Sequence, residues 1–213
     1  GWDDSNVLRF STYQNHTGTY GNERMRIDTS GRVGIGVTDP LSELEINGSH
    51  TAVDENAPYG TSSTHINIKN TSDTDGNIAG VLFEGAVSSG YMGGMYMEME
   101  NHSSFYSKLH FATRNAGSFG SKMTLDKDGN VGIGTTAPDG NLHIHTATAG
   151  SITAGANHDE LVLENSGNTG MTIFSGTGNT GIIAFGDSGD NDIGYIQYHH
   201  STNDFRIATN ATE

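Results

Sequence analysis

Apolar residues recur along this chain at every second position, in short runs that Gly, Asn, Asp and Ser cut off. Met25-Arg26-Ile27 alternates, turn residues fill Asp28 to Gly31, and Val33 and Ile35 resume the alternation across Gly34 and Gly36. Side chains two apart share one face of a strand, so each run reads as a half-buried β-strand and each polar cluster as a tight turn. Pro40 has no N–H to give to a ladder and stops the pairing, after which Leu44 and Ile46 take up period two again. No window shows sustained three-and-four spacing, and residues of high helix propensity are scarce. The chain is predicted to be almost entirely β.

The same pattern is written twice. Residues Met25 to Pro40 return as Met123 to Pro138, and the two copies stay in register without a gap to Leu44-Glu45-Ile46 and Leu142-His143-Ile144, a fixed offset of 98 residues. Weaker echoes extend the repeat. Leu8-Arg9-Phe10-Ser11-Thr12 and Leu109-His110-Phe111-Ala112-Thr113 precede the two blocks, and Phe205-Arg206-Ile207-Ala208-Thr209 is a third relative. His65-Ile66-Asn67-Ile68-Lys69-Asn70 resembles Glu160-Leu161-Val162-Leu163-Glu164-Asn165, and Met92 to Met97 has an echo in Ile193 to Tyr198. Internal repetition points to an architecture that grows along an axis.

The predicted organisation is therefore modular. Residues 1–22 end one module, 23–48 form a Gly-Ile-Gly collar, 49–120 a β module, 121–148 a second collar, and 149–213 a third β module that stops before its collar. Glu213 falls where Glu23 falls, so the natural protein is expected to continue with another Gly-Ile-Gly block. Alternate glycines leave a strand face without side chains, which suits backbone crowding near another chain or an axis. Strands this short bury little alone, so several chains are expected to wrap together.

Composition narrows the function. Of 213 residues only 33% are hydrophobic, while 30 are Gly, a thin supply for a private core. The formal net charge of -15 repels phosphate backbones and anionic lipid, which argues against nucleic-acid partners and membrane insertion. The absence of cysteine leaves packing and oligomerisation to supply stability.

Arg24-Met25-Arg26-Ile27-Asp28, Gly31-Arg32-Val33-Gly34-Ile35-Gly36-Val37-Thr38 and Gly129-Asn130-Val131-Gly132-Ile133-Gly134-Thr135-Thr136-Ala137-Pro138 resemble the repeats of bacteriophage tail fibres and phage-like surface fibres. In many such proteins the repeats precede an intramolecular chaperone that cleaves itself off, and no such domain is recognisable here. The resemblance implies an elongated homotrimer with interlocked strands, a β-prism or triple-β-helix-like shaft. It also implies a virion or extracellular location, with tail-fibre or baseplate proteins and a bacterial surface glycan or protein receptor as partners. The expected role is structural and adhesive rather than enzymatic. The rivals are a polysaccharide-degrading tailspike and a bacterial surface adhesin built from the same repeats.

Candidate chemistry is sparse. Gly132-Ile133-Gly134 matches part of a dinucleotide loop, but Pro138 follows where a helix must begin to hold the pyrophosphate. His143 and His145 share one strand face, so three chains would offer six imidazoles around an axis, an arrangement that resembles the axial iron of phage fibre and spike tips. The repeat favours the other orientation: Leu142 and Ile144 inward, and both histidines outward in solvent. Asp73-Thr74-Asp75-Gly76-Asn77 and Asp126-Lys127-Asp128-Gly129-Asn130 resemble the opening of a calcium loop without its distal Glu, and Asp187, Asp190 and Asp192 form another acidic cluster. The turn is the better-supported role, because Asp28-Thr29-Ser30-Gly31-Arg32 keeps the glycine and loses the second carboxylate. No resident cofactor is expected.

Met95, Met97 and Met99 are placed on one face opposite Tyr96, Glu98 and Glu100, as an adaptable core or else a receptor groove. Phe105, Tyr106, Tyr195, Tyr198, His199 and His200 would stack on sugars if exposed together. Receptor-binding residues are otherwise unassigned. The residue types of a Ser-His-Asp triad or a carboxylate pair are present, but none sits in a nucleophile-elbow context.

Overall fold

The computed structural model describes residues 6–12, 22–47, 68–85, 92–115 and 117–209. Among these there is no helix, and the fourteen elements are all strands, as the alternation requires. The chain divides into two compact units, 1–69 and 70–213.

In the first unit, β1 (Leu8–Ser11), β2 (Glu23–Ile27), β3 (Val33–Ile35) and β4 (Leu44–Ile46) form one sheet in chain order. The first three are antiparallel neighbours, and β4 lies parallel to β3. The second unit holds two sheets. One has seven strands in chain order: β5 (Ile78–Glu84), β6 (Met92–Asn101), β7 (Tyr106–Asn115), β8 (Ser118–Leu125), β9 (Val131–Ile133), β10 (Leu142–His145) and β11 (Leu161–Glu164). Pairing is antiparallel from β5 to β9, then parallel from β9 to β11. The other is an antiparallel meander of β12 (Thr180–Phe185), β13 (Gly194–His199) and β14 (Asp204–Thr209).

The repeat in sequence is a repeat in register. Met25 faces Ile35, Arg26 faces Gly34 and Ile27 faces Val33, and 98 residues on Met123 faces Ile133, Thr124 faces Gly132 and Leu125 faces Val131. Val33, Gly34 and Ile35 lie beside Leu44, Glu45 and Ile46 just as Val131, Gly132 and Ile133 lie beside Leu142, His143 and Ile144. The collars are not separate bodies, however. The expected boundary between 120 and 121 falls inside β8, and β11, from the third module, joins the sheet of the second collar. The sequence signal is sharpest in the collar, but ladder hydrogen bonds run through it without a break. The expected boundary between 48 and 49 lies outside the described residues.

Pairing in the seven-stranded sheet creates two unbroken apolar rows on one face. The first is Val81, Met95, Phe111, Met123, Ile133, Ile144 and Leu163, and the second is Ala79, Met97, Leu109, Leu125, Val131, Leu142 and Leu161. The row between them, on the opposite face, reads Gly80, Tyr96, His110, Thr124, Gly132, His143 and Val162. Burial runs against polarity. His110, Thr124 and His143 are 1%, 0% and 2% exposed, whereas Phe111, Ile133 and Leu161 are 44%, 42% and 49% exposed. Among the described residues the only buried hydrophobic side chains are Val7, Ala112 and Ala208, against thirty exposed large ones. This chain covers its polar face and leaves its apolar face open, the reverse of a soluble monomer.

Candidate functional site

Two polar networks lie on the covered face of the seven-stranded sheet. In the first, His110 on β7 reaches Glu98 on β6 with Nε2 at 2.9 Å. Its Nδ1 stands 3.1 Å from both Ser121 Oγ and Thr124 Oγ1 on β8. Tyr96 stacks on the imidazole at 4.7 Å, and Lys108 pairs with Glu100 at 2.7 Å one step along the same strands. Hydroxyl, imidazole and carboxylate are thus within hydrogen-bond reach, a set the sequence reading did not assemble. The signal is recoverable only with the register, which sets Tyr96 and Glu98 opposite His110 and Lys108. Chemically the set is closed: the Ser121 hydroxyl donates to the Met123 carbonyl at 3.1 Å, and the imidazole is sealed from solvent. The network ties three strands together, since a buried polar group without partners is costly.

The second network surrounds the sequence-predicted histidines. His143 and His145 do share the face opposite Leu142 and Ile144, but they are not both in solvent. His143 is 2% exposed, because the turn after β9 folds over it and the Asp139 N–H donates to its Nδ1 at 3.2 Å. Its Nε2 faces Glu164 Oε2 at 3.1 Å without the alignment of a hydrogen bond. His145 lies edge-on to His143 at 5.6 Å, its Nε2 3.8 Å from the same Glu164 oxygen and 3.3 Å from Thr148 Oγ1. Donor atoms of Asp139, His143 and Glu164 fall within 4.8 Å of one another, beside a cavity of about 160 Å³ lined in part by Ile152, Val162 and Leu163. Among the described residues, these three form the set that could hold a cation. Because Nδ1 accepts a main-chain N–H, the neutral ring carries its proton on Nε2, the ring nitrogen beside the carboxylate, and a cation there would have to displace that proton. The first copy shows what Nδ1 does: Glu45, the counterpart of His143, accepts the N–H of Leu41, the counterpart of Asp139, at 2.8 Å.

The calcium-like loops are built as turns. Asp126 Oδ1 accepts the N–H groups of Asp128 and Asn130, both at 2.9 Å, and Oδ2 accepts the Asn130 side-chain amide at 3.2 Å. Asp28 repeats this with Ser30 N–H and Arg32 N–H at 2.9 Å and the Arg32 guanidinium at 2.7 Å. Partial burial pushes the Asp28 carboxyl up, but the main-chain and guanidinium hydrogen bonds from Arg32 and the Ser30 N–H outweigh it and hold the group below the usual carboxylate range. Asp187 caps its own loop through Gly189 and Asp190 at 2.7 and 3.0 Å.

Crowding at the alternate glycines arises within the chain. A Cβ on Gly132 would lie 2.5 Å from the Thr135 carbonyl oxygen, and one on Gly34 would lie 2.7 Å from that of Val37. Gly134 and Gly36 have φ of +82° and +74°, and a Cβ on either would lie 2.1 Å from the carbonyl oxygen of His145 or Asn47. The glycines let the chain leave β3 or β9 and double back against the strand that pairs with it.

The methionines sit as expected on one face, with Met95 and Met97 exposed in the apolar rows. The six aromatic candidates are divided between sheets: Phe105 and Tyr106 lie at the β6–β7 turn, whereas Tyr195, Tyr198, His199 and His200 belong to the meander or its turn. Among the described residues no helix is long and apolar enough to cross a membrane. No family model matches the chain, and no curated protein matches it either.

Proposed function

We propose that this chain is a segment of a homotrimeric surface fibre, structural and adhesive in role, of the kind that phage tail fibres use to reach a host surface. The observation that carries this reading is the inverted burial of the sheets. A face with two seven-residue apolar rows needs a cover, and the cover must present apolar rows at the same intervals. The first unit carries the same rows in shorter form, Phe10, Met25, Ile35 and Ile46 beside Leu8, Ile27, Val33 and Leu44. A partner that covers each of these faces must itself present such rows, and further copies of this chain do so. Three chains closing apolar faces around an axis and turning networked polar faces outward make a β-prism-like shaft. Each weak surface contact is then offered three times, and avidity follows where geometry allows simultaneous engagement.

The test is the solution mass by light scattering, with the frictional ratio by sedimentation. A mass of three chains with high friction is the expected result. A compact monomer of 22.5 kDa overturns the reading.

A further inference from the structure

Three residues other than glycine adopt a left-handed backbone among the described residues: Asn6 at φ 58°, Phe105 at 58° and Asn203 at 55°. They occupy related places. Phe105 immediately precedes β7, Asn203 immediately precedes β14, and Asn6-Val7-Leu8-Arg9-Phe10-Ser11-Thr12 aligns without a gap with Asn203-Asp204-Phe205-Arg206-Ile207-Ala208-Thr209, identical at the Asn, Arg and Thr positions. The turns 102–105 and 200–203 both join neighbouring antiparallel strands with four residues.

Asparagine suits this place. It tolerates the left-handed region, and Asn203 is also used internally, its Oδ1 accepting the Tyr198 hydroxyl at 2.9 Å. Phenylalanine does not suit it. A bulky side chain at positive φ is an outlier, and strain of this kind persists where the surroundings enforce it. Phe105 gains little inside the chain in return: the residue is 88% exposed and, among the described residues, its one aromatic neighbour is His102, tilted at 6.4 Å. The turn beneath it is firmly held. Asp75 Oδ1 accepts the His102 N–H at 2.7 Å, and Asn101 Oδ1 accepts the Ser103 hydroxyl and the Ser104 N–H at 2.9 and 2.8 Å. An aromatic ring is therefore displayed on a rigid turn, ringed by the exposed polar residues Asp75, His102, Ser103 and Ser104.

We propose that the Phe105 turn is a binding site for a pyranose sugar, the ring stacking on the sugar's C–H face while the surrounding hydroxyl, imidazole and carboxylate groups meet its hydroxyls. One ring on a four-residue turn offers too little apolar area for a helix or an extended peptide, but it matches the area of a single sugar face. The net charge of -15 selects neutral and amino sugars over uronic acids. This site rests on the fibre reading for its threefold presentation, not for its chemistry.

Saturation-transfer NMR on the full chain, with methyl glucoside, methyl glucosaminide and methyl glucuronide as probes, tests it alongside the sedimentation mass. Transfer to the first two and not to the glucuronide is expected. Phe105→Asn, which installs the residue found at the two related positions, is expected to weaken binding about tenfold or more and to keep or raise the melting temperature. Phe105→Tyr should bind like the wild type. Equal binding by Phe105→Asn, or no transfer to any sugar from the wild type, overturns the site, and equal transfer to the glucuronide overturns the sugar class. A three-chain mass without sugar binding removes this inference and leaves the fibre. Sugar binding by a monomer does the reverse.

Discussion

The two collars share a backbone and differ on one face. Residues 24–47 and 122–145 have the same strand pairing, the same left-handed glycines, and the same main-chain bonds, with Gly36 N–H to Arg24 and Gly134 N–H to Lys122 both at 2.9 Å. Their apolar rows are equally alike, Met25, Ile35 and Ile46 answering Met123, Ile133 and Ile144. The polar faces have diverged: Arg26 stands where Thr124 stands, and Glu45 where His143 stands. What stays constant is therefore the glycine geometry, the Asp-capped turn and the apolar face, while the networked face completes its hydrogen bonds with different residues in the two copies. A face that varied freely would be expected to look outward, and a face held constant to meet something equally constant.

The largest effect should come from breaking the constant face. Ile133→Asp puts a carboxylate into the apolar row of each chain, and in a trimer three such charges would converge. A cost of about 3–5 kcal/mol per chain is expected, enough to reduce the mass to one chain in light scattering. Lys122→Glu, on an exposed residue of β8 outside the rows, is expected to leave the mass unchanged. Equal behaviour of the two variants would sink the assignment of the apolar face as the interface.

Next is the shared backbone. Gly134→Ala brings a Cβ to 2.1 Å from a main-chain oxygen at positive φ, so the β9–β10 pairing must open, and a loss on the order of 3–4 kcal/mol is expected in thermal melts. Gly129→Ala has the same backbone requirement at φ +86° but nothing within 4 Å, so only the left-handed penalty of about 1 kcal/mol applies. The pair separates conformational strain from collision. If both cost the same, the clash is relieved by small movements and the glycine is a matter of φ alone.

The sequence carried the collar strands and turns because period two, Gly and Asp act over a few residues. It also carried the sidedness of Leu142 and Ile144 against His143 and His145. It did not carry the burial of His143, since a turn folded over a strand face is not encoded in alternation. The contact of His110 with Glu98 and Ser121 was hidden for a related reason: its members lie 12 and 11 residues apart and meet only through strand register. The left-handed backbone of Phe105 gave no signal at all, because nothing in the residue type favours it.

A smaller effect is expected on the divergent face. His143→Glu copies the first collar and keeps an acceptor for the Asp139 N–H, but sets a carboxylate against Glu164. In the first copy the residue aligned with Glu164 is Lys69, so acid and base have exchanged places along the sequence. His143→Glu alone should cost about 2 kcal/mol, and adding Glu164→Lys should recover about half of it, read as the coupling in a double-mutant cycle of melting midpoints. Additive effects would show that the two positions do not interact.

The smallest effect concerns the turn that both collars share and is visible only in acid. Asp28 is held below the usual carboxylate range when folded, so its folded pKa lies under its unfolded one. Protons then bind the unfolded chain more readily, and the stabilisation is complete above the unfolded carboxylate value near 3.9 and fades as pH falls through the folded one. Asp28→Asn removes that dependence but keeps an oxygen to accept the Ser30 and Arg32 N–H groups. The variant should melt slightly below the wild type at pH 7, where the Arg32 pairing is lost, and the two should converge toward pH 2. Melting curves that stay parallel across this window would mean that the Asp28–Arg32 contact contributes nothing to stability, leaving the carboxylate's hydrogen bonds to the main chain as the reason an Asp stands at the head of both turns.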